Sequence, residues 1–255
     1  MKQVSPQILF EDDALLIINK PSGVIVNRSE TAKSDTLQDW ATQYLKLSEV
    51  AKEKTPDTYA TLDTFYSRSG IVHRLDKETS GVLVIAKTPE AFLRLQQEFK
   101  ERIVDKKYIA LTHGVVSPSV GEIKAPVGRL PWNRKQFGII SGGRDSVTMY
   151  KTISTFKRSL PNAPSEKLTL LELCPETGRT HQIRVHLKYI GFPIFSDFLY
   201  AGRKTSRGDR QFLSRVFLHA KELSLLHPVT GERVVFSAPL PRELEFFLEK
   251  LERVE

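Results

Sequence analysis

The sequence predicts an α+β fold with a central mixed, mostly antiparallel sheet flanked by helices. Three observations predict it. Segments with strand-like alternation or short apolar runs outnumber those with helical periodicity. The strands follow one another with few helices between them, unlike the strict alternation of a parallel βαβ protein. A chain of 255 residues, 40% hydrophobic and 27% charged, can bury one substantial core.

In chain order, Gln7–Phe10 and Ala14–Asn19 read as two short strands around the acidic turn Glu11-Asp12-Asp13. Lys20-Pro21-Ser22-Gly23 breaks that pattern, because Pro removes a donor and Gly permits positive φ. Asp35 to about Lys54 reads as a helix with Leu37, Trp40, Ala41, Tyr44 and Leu45 on one face. Thr55–Gly70 is polar and irregular, a loop or a local insertion over about 55–69. Val82–Ala86 is a buried strand that ends at Thr88-Pro89-Glu90, where an N-cap hydroxyl and a first-turn Pro open a helix striped by Phe92, Leu95 and Phe99. Lys106–Thr112, Val147–Phe156 and Lys167–Leu173 alternate as strands. Thr180–Ile190, capped by Thr180 and closed by Gly191, reads as a short helix with Ile183, Leu187 and Ile190 inward. Arg215–Leu226 and Arg233–Ser237 are strand-like, and Pro241–Leu251 is an amphipathic helix. With no repeat, low-complexity tract or clear linker, the expectation is one domain over 1–255, its core at about 8–240.

The balance of 38 basic against 30 acidic residues leaves a net charge of +8, which favours a polyanionic partner. The charge is unevenly placed. Lys124–Arg144 contains no acidic residue, and Arg203–Arg215 sets five cations against Asp209 alone, as a phosphate-facing surface requires. The single cysteine, Cys174, makes no intrachain disulfide and follows an apolar run, so a buried structural thiol is expected. The N-terminus lacks a signal-peptide pattern and no apolar stretch is long enough to span a bilayer, so a cytoplasmic protein without membrane contact is expected.

Two motifs concentrate chemistry. The first is His73-Arg74-Leu75-Asp76…Thr79-Ser80-Gly81, a charged approach to a buried strand. Asp76 is the candidate nucleophile or base, kept ionised by a guanidinium from either Arg74 or Arg184. Taken alone, such an Asp is more often a structural ion pair. The second is Gly178-Arg179-Thr180-His181-Gln182-Ile183-Arg184, which crowds cations into the first turn of a helix against the macrodipole. A carboxylate or phosphate held there would remove the conflict. His181 and His186 lack the spacing of a helical zinc pair, so no metal is expected. Tyr108 follows Lys106 and Lys107 in a strand; it is either packing or a platform for a nucleobase whose phosphates meet the lysines.

These segments, with Lys20-Pro21-Ser22-Gly23, Lys107-Tyr108-Ile109-Ala110, Gly191-Phe192-Pro193-Ile194 and Leu218-His219-Ala220…His227-Pro228, resemble in type and order the RluA-type pseudouridine synthases. The resemblance implies the pseudouridine synthase fold, with an active-site cleft across the sheet. It implies isomerisation of specific uridines in ribosomal or transfer RNA, with no cofactor or metal; with no exposed apolar stripe in the sequence, a monomer is the default expectation. Asp76, Tyr108 and Arg184 would be catalytic: Arg184 pairs with Asp76, and Tyr108 stacks on the target base. Arg74 would fill the gap left by the flipped uridine. Lys20, His73, Thr79, Lys107, Arg179 and His181 would contact substrate. The pattern begins within the first ten residues, so the N-terminal S4-type RNA-binding domain of many relatives is not expected.

One departure is Ser196-Asp197, where the family commonly has Gly-Asp, so a local difference in that turn is expected. Two other readings compete. One is a non-catalytic RNA binder or chaperone on the same fold. The other is a two-carboxylate glycoside hydrolase, for which Asp197 is the only motif-linked second acid.

Overall fold

The computed structural model describes residues 5–28, 35–47, 60–160 and 163–254. They form an α+β structure in two compact units. Met1–Val104 with Glu222–Ala238 make up the first, and Asp105–Lys221 with Pro239–Glu255 the second. Among the described residues no helix is long and apolar enough to cross a membrane.

In the first unit β1 (Gln7–Glu11) and β2 (Leu15–Lys20) form a hairpin, closed where the Asp12 carboxylate accepts from the Ala14 and Leu15 amides at 2.8 and 2.6 Å. β2 pairs antiparallel with β3 (Ser80–Ala86), with Lys20 opposite Gly81. β3 is buried at every position, which is why its sequence is a continuous apolar run. The order continues to β10 (Leu218–Leu226), which carries β11 (Arg233–Ser237) antiparallel. Helix α1 (Leu37–Tyr44) starts at a capping box between Thr36 and Asp39. It ends well short of the expected length, and residues 48–54 of that expectation lie outside the described residues. Helix α2 (Ala60–Arg68) occupies much of the stretch expected to be a loop. Its Phe65 is buried edge-on against Phe92 of α3 (Pro89–Glu101), so tertiary packing supplies what a weak pattern did not advertise. Helix α3 opens at the Thr88 cap as expected. Leu15, Val84, Phe92, Leu95 and Leu225 centre this core.

In the second unit β10 neighbours β4 (Asp105–His113), followed by β9 (Ala163–Pro175), β8 (Val147–Leu160) and β12 (Glu252–Arg253), with β5 (Val120–Lys124) also on β8. The β4–β9, β8–β9, β5–β8 and β12–β8 pairings are antiparallel. A separate hairpin, β6 (Val127–Leu130) and β7 (Asn133–Ile139), was not expected, because Gly and Pro mask its alternation. Helices α4 (Gln182–Tyr189), α5 (Arg203–Asp209) and α6 (Arg242–Glu249) complete the unit. Leu111, Leu171, Phe195, Phe217, Leu244 and Phe247 fill its core. Cys174 on β9 is only partly buried, a correction to the expected core thiol.

A partly buried ionic quartet ties four elements of this unit together. His113 of β4 bonds Glu166 of β9 through Nδ1 and Asp209 of α5 through Nε2 (3.0 Å). Arg158 of β8 reaches Glu166 at 2.6 Å and Asp209 at 3.5 Å. Burial pushes the His113 pKa down, but the bonds and charges of Asp209 and Glu166 outweigh it and raise it to about 9. Burial likewise opposes ionisation of Glu166, and His113 and Arg158 overcome it, holding that carboxyl below its ordinary value.

Candidate active site

Residues Ile71–Asp76 run beside β3. Gly70 lets them approach: a Cβ there would lie 2.1 Å from the Ala86 carbonyl oxygen, to which chain geometry brings it at φ +73°. Ile71 bridges Ile85, and the Val84 amide donates to His73 Nε2 at 3.0 Å. That bond fixes the neutral tautomer with its proton on Nδ1. The His73 ring stacks on Phe99 with centroids 4.8 Å apart, so His73 anchors the segment to its own unit. Exposure then alternates: Arg74 exposed, Leu75 buried, Asp76 half-buried. Leu75 thus points inward and sets Arg74 and Asp76 on the opposite side, as an extended segment requires.

The turn after Asp76 is clamped from β2. Asp76 O accepts from the Thr79 amide at 3.1 Å. Lys77 O accepts from the Gly23 amide at 2.8 Å and from Lys20 Nζ at 3.2 Å, and Glu78 O accepts from Ser22 Oγ at 2.8 Å. Lys20 is fully buried and also donates to Pro21 O (2.9 Å) and Val24 O (3.0 Å). Its ammonium was expected to meet substrate; the structure places it inside, on backbone carbonyls, because the Lys20–Gly81 register brings the two turns together. Thr79 is also buried, and its Oγ1 has no hydrogen-bond partner among the described residues.

In the second unit Lys107 and Tyr108 sit on β4, with Tyr108 opposite Leu173 and packed partly against the core. Arg179, His181 and Arg184 gather at the start of α4. The helix opens at Gln182, not at Thr180: His181 takes the N-cap position in a left-handed conformation (φ 58°) and makes no side-chain cap. Gln182 instead ties the loop before the helix to β8. Its Oε1 accepts from the Arg179 amide (3.0 Å) and Thr177 Oγ1 (2.7 Å), and its Nε2 donates to Val147 O (2.9 Å) and Thr148 Oγ1 (3.0 Å). Arg184, buried in the first turn, makes a two-pronged ion pair with Asp197 at 2.7 and 2.9 Å. Asp197 is the carboxylate that relieves the clash between cations and the helix dipole. It also caps the next turn, accepting from the Leu199 and Tyr200 amides. Its oxygens are therefore committed, which removes the acid a two-carboxylate hydrolase would need.

Tyr200 links this assembly together. Its ring lies 5.0 Å under the Arg184 guanidinium, and its hydroxyl meets His181 Nδ1 (2.8 Å) and the Phe137 amide (3.0 Å). Beside it His186 is buried between Thr148 Oγ1 and Ala125 O, and burial lowers its pKa. The Ser196-Asp197 departure has a structural counterpart: Ser196 is left-handed (φ 62°), and its Oγ donates to Leu213 O at 2.6 Å. Gln182, Asp197 and Tyr200 were the residues sequence reasoning missed in this role. The first two stand inside recognised motifs, but Tyr200 had no local signal.

Three comparisons bear on these features. A model of the RNA pseudouridylate synthase family matches residues 14–189. An uncharacterised RNA pseudouridine synthase of Bacillus subtilis (strain 168) is 36% identical over 96% of this chain and 73% of its own length. The ribosomal large subunit pseudouridine synthase D of Nitrosomonas europaea is 37% identical over 96% of this chain and 65% of its own. Among solved structures, human RNA pseudouridylate synthase domain containing 1 superposes with a TM-score of 0.70 at 25% identity, covering 98% of this chain and 89% of that one.

Proposed function

The chain belongs to the RNA pseudouridylate synthase family and is an isomerase that acts on RNA, and from that premise we propose that it converts specific uridines of ribosomal or transfer RNA with Asp76 as the catalytic aspartate. The construction of the Asp76 turn carries this reading. A fully buried lysine, a serine hydroxyl and the amide of a left-handed glycine are all spent on the carbonyls of Lys77 and Glu78. Fixing the backbone next to a half-buried carboxylate is how a fold aims a reactive group.

The reaction breaks the C1′–N1 glycosidic bond, rotates the uracil and joins C1′ to C5; C5 then loses its proton and N1, left with the electron pair of the broken bond, gains one. Atoms and electrons balance without a cofactor or metal. Asp76 either attacks the ribose or takes its proton once the glycosidic bond is broken. Tyr108 stacks on the base, and Arg74, exposed beside Asp76, enters the space left by the flipped uridine. Arg184 is the third catalytic residue, its guanidinium fixed by Asp197 before substrate arrives. Thr79, Lys107, Arg179 and His181 contact substrate. Lys20 and His73 act as positioning residues, holding the turn from within. The name of the Nitrosomonas relative, a ribosomal large subunit pseudouridine synthase, makes large-subunit ribosomal RNA the first substrate to test. A monomer working in the cytoplasm fits this substrate and the single cysteine.

The test is a modification map. Unmodified total RNA is treated with wild-type protein or with Asp76→Asn, and pseudouridines are located by carbodiimide-dependent reverse-transcription stops. Stops produced by the wild type alone are expected, with RNA binding retained by the variant. Equal stops from both proteins would remove Asp76 from its role, and bound RNA without any stops would favour a pure binder.

A further inference from the structure

The described residue that most exposes a large hydrophobic side chain is Trp132, 78% exposed at the tip of the β6–β7 hairpin. A lone exposed apolar residue ordinarily needs no explanation. Here the setting is unusual on two counts. The tip carries no other large exposed apolar group, and its exposed neighbours Arg134 and Lys135 are both cations in a stretch from Lys124 to Arg144 without an acid.

The hairpin is braced rather than loose. Arg129 folds over the Phe137 ring at 5.0 Å and donates to Arg134 O at 2.6 Å, tying the two strands below the tip. Gln136 donates to Leu199 O at 2.9 Å and the Phe137 amide to the Tyr200 hydroxyl at 3.0 Å. The base of the hairpin is thus fastened to the turn that holds Arg184 through Asp197. A large aromatic face is held out on a fixed stem, with two exposed cations just after it in the chain, so little order has to be gained when it meets a partner.

We propose that Trp132 is a stacking platform for an unpaired nucleobase of the substrate RNA outside the target uridine, with Arg134 and Lys135 meeting the adjoining phosphates. This rests on the RNA-modifying function above and adds to it a contact that discriminates single-stranded from paired RNA. Every base has a π face, but inside a duplex stacked neighbours cover it, whereas an unstacked single-stranded base can present it; cations alone would accept either form.

The protein has two tryptophans, so a Trp40→Phe background isolates Trp132 fluorescence. The probes are a single-stranded uridine 12-mer and a blunt RNA duplex of equal length. Quenching by the single strand and not by the duplex is expected. Trp132→Ala should weaken single-strand binding by about 5- to 100-fold, while Trp132→Phe largely preserves it. Quenching by the duplex alone, equal quenching by both, or unchanged affinity in Trp132→Ala would overturn the proposal. Modification of total RNA by the Trp40→Phe protein is followed in parallel. Pseudouridine formation without quenching refutes the Trp132 contact alone, whereas no formation refutes the function on which it rests.

Discussion

Lys20 has its ammonium inside the protein, satisfied by main-chain carbonyls of its own turn and of the turn after Asp76. A methionine of similar length would remove the ammonium donor from Pro21 O and Val24 O and leave Lys77 O with the Gly23 amide. Lys20→Met is expected to lower stability by about 2–3 kcal/mol, read from urea unfolding. With Asp76 in its proposed role, it should also lower kcat more than it raises KM, because Lys20 bonds the backbone of the turn after Asp76. An effect on KM alone would return Lys20 to substrate binding. Asp197 poses the complementary case. Its removal takes the two-pronged ion pair from a buried guanidinium, so Asp197→Ala should cost about 3–5 kcal/mol in the same assay. Sequence reading picked out Arg184 because a cation in a first helical turn is anomalous. It could not identify Asp197 as the partner, because the two meet only once α4 and the following turn are packed.

At the scale of elements, the quartet of His113, Glu166, Arg158 and Asp209 joins β4, β9, β8 and α5. His113 is raised from 6.5 to about 9 in the folded protein. Its contribution to stability is therefore complete below the unfolded value and is lost as pH rises through the folded one. The thermal midpoint of His113→Gln should lie below that of wild type at pH 6.5, with most of the gap closed at about pH 9.5. A gap independent of pH would mean that packing, not charge, holds α5. That helix also shows why some elements were illegible. Arg203–Asp209 has no apolar residue to mark an inward face, and it forms because Ser206 and Asp209 are buried by the surrounding turns. By contrast β3, β10, β11 and α3 were readable, since a buried run, alternation and a Thr-Pro cap are written in neighbouring residues.

For the whole molecule, net charge marked a polyanion-binding protein, but the structure divides the second basic run. Arg203, Lys204 and Arg207 are exposed, whereas Arg215 is buried against Glu243 and the carbonyls of Val216 and Leu218. Part of what reads as an RNA-facing surface is internal support. The two compact units were not visible as a linker, because the chain passes between them more than once, one crossing lying within β10. What the sequence by itself determined was the family, the α+β class and the motifs that carry Asp76, Tyr108 and Arg184. These are encoded in short windows, where residue type, spacing and periodicity suffice. Only the tertiary structure decided that Lys20 and His73 hold the turn from inside, that Asp197 and Tyr200 fix Arg184, and that Trp132 stands at a braced tip. Those facts depend on residues far apart in the chain, and strand register and burial set their distances.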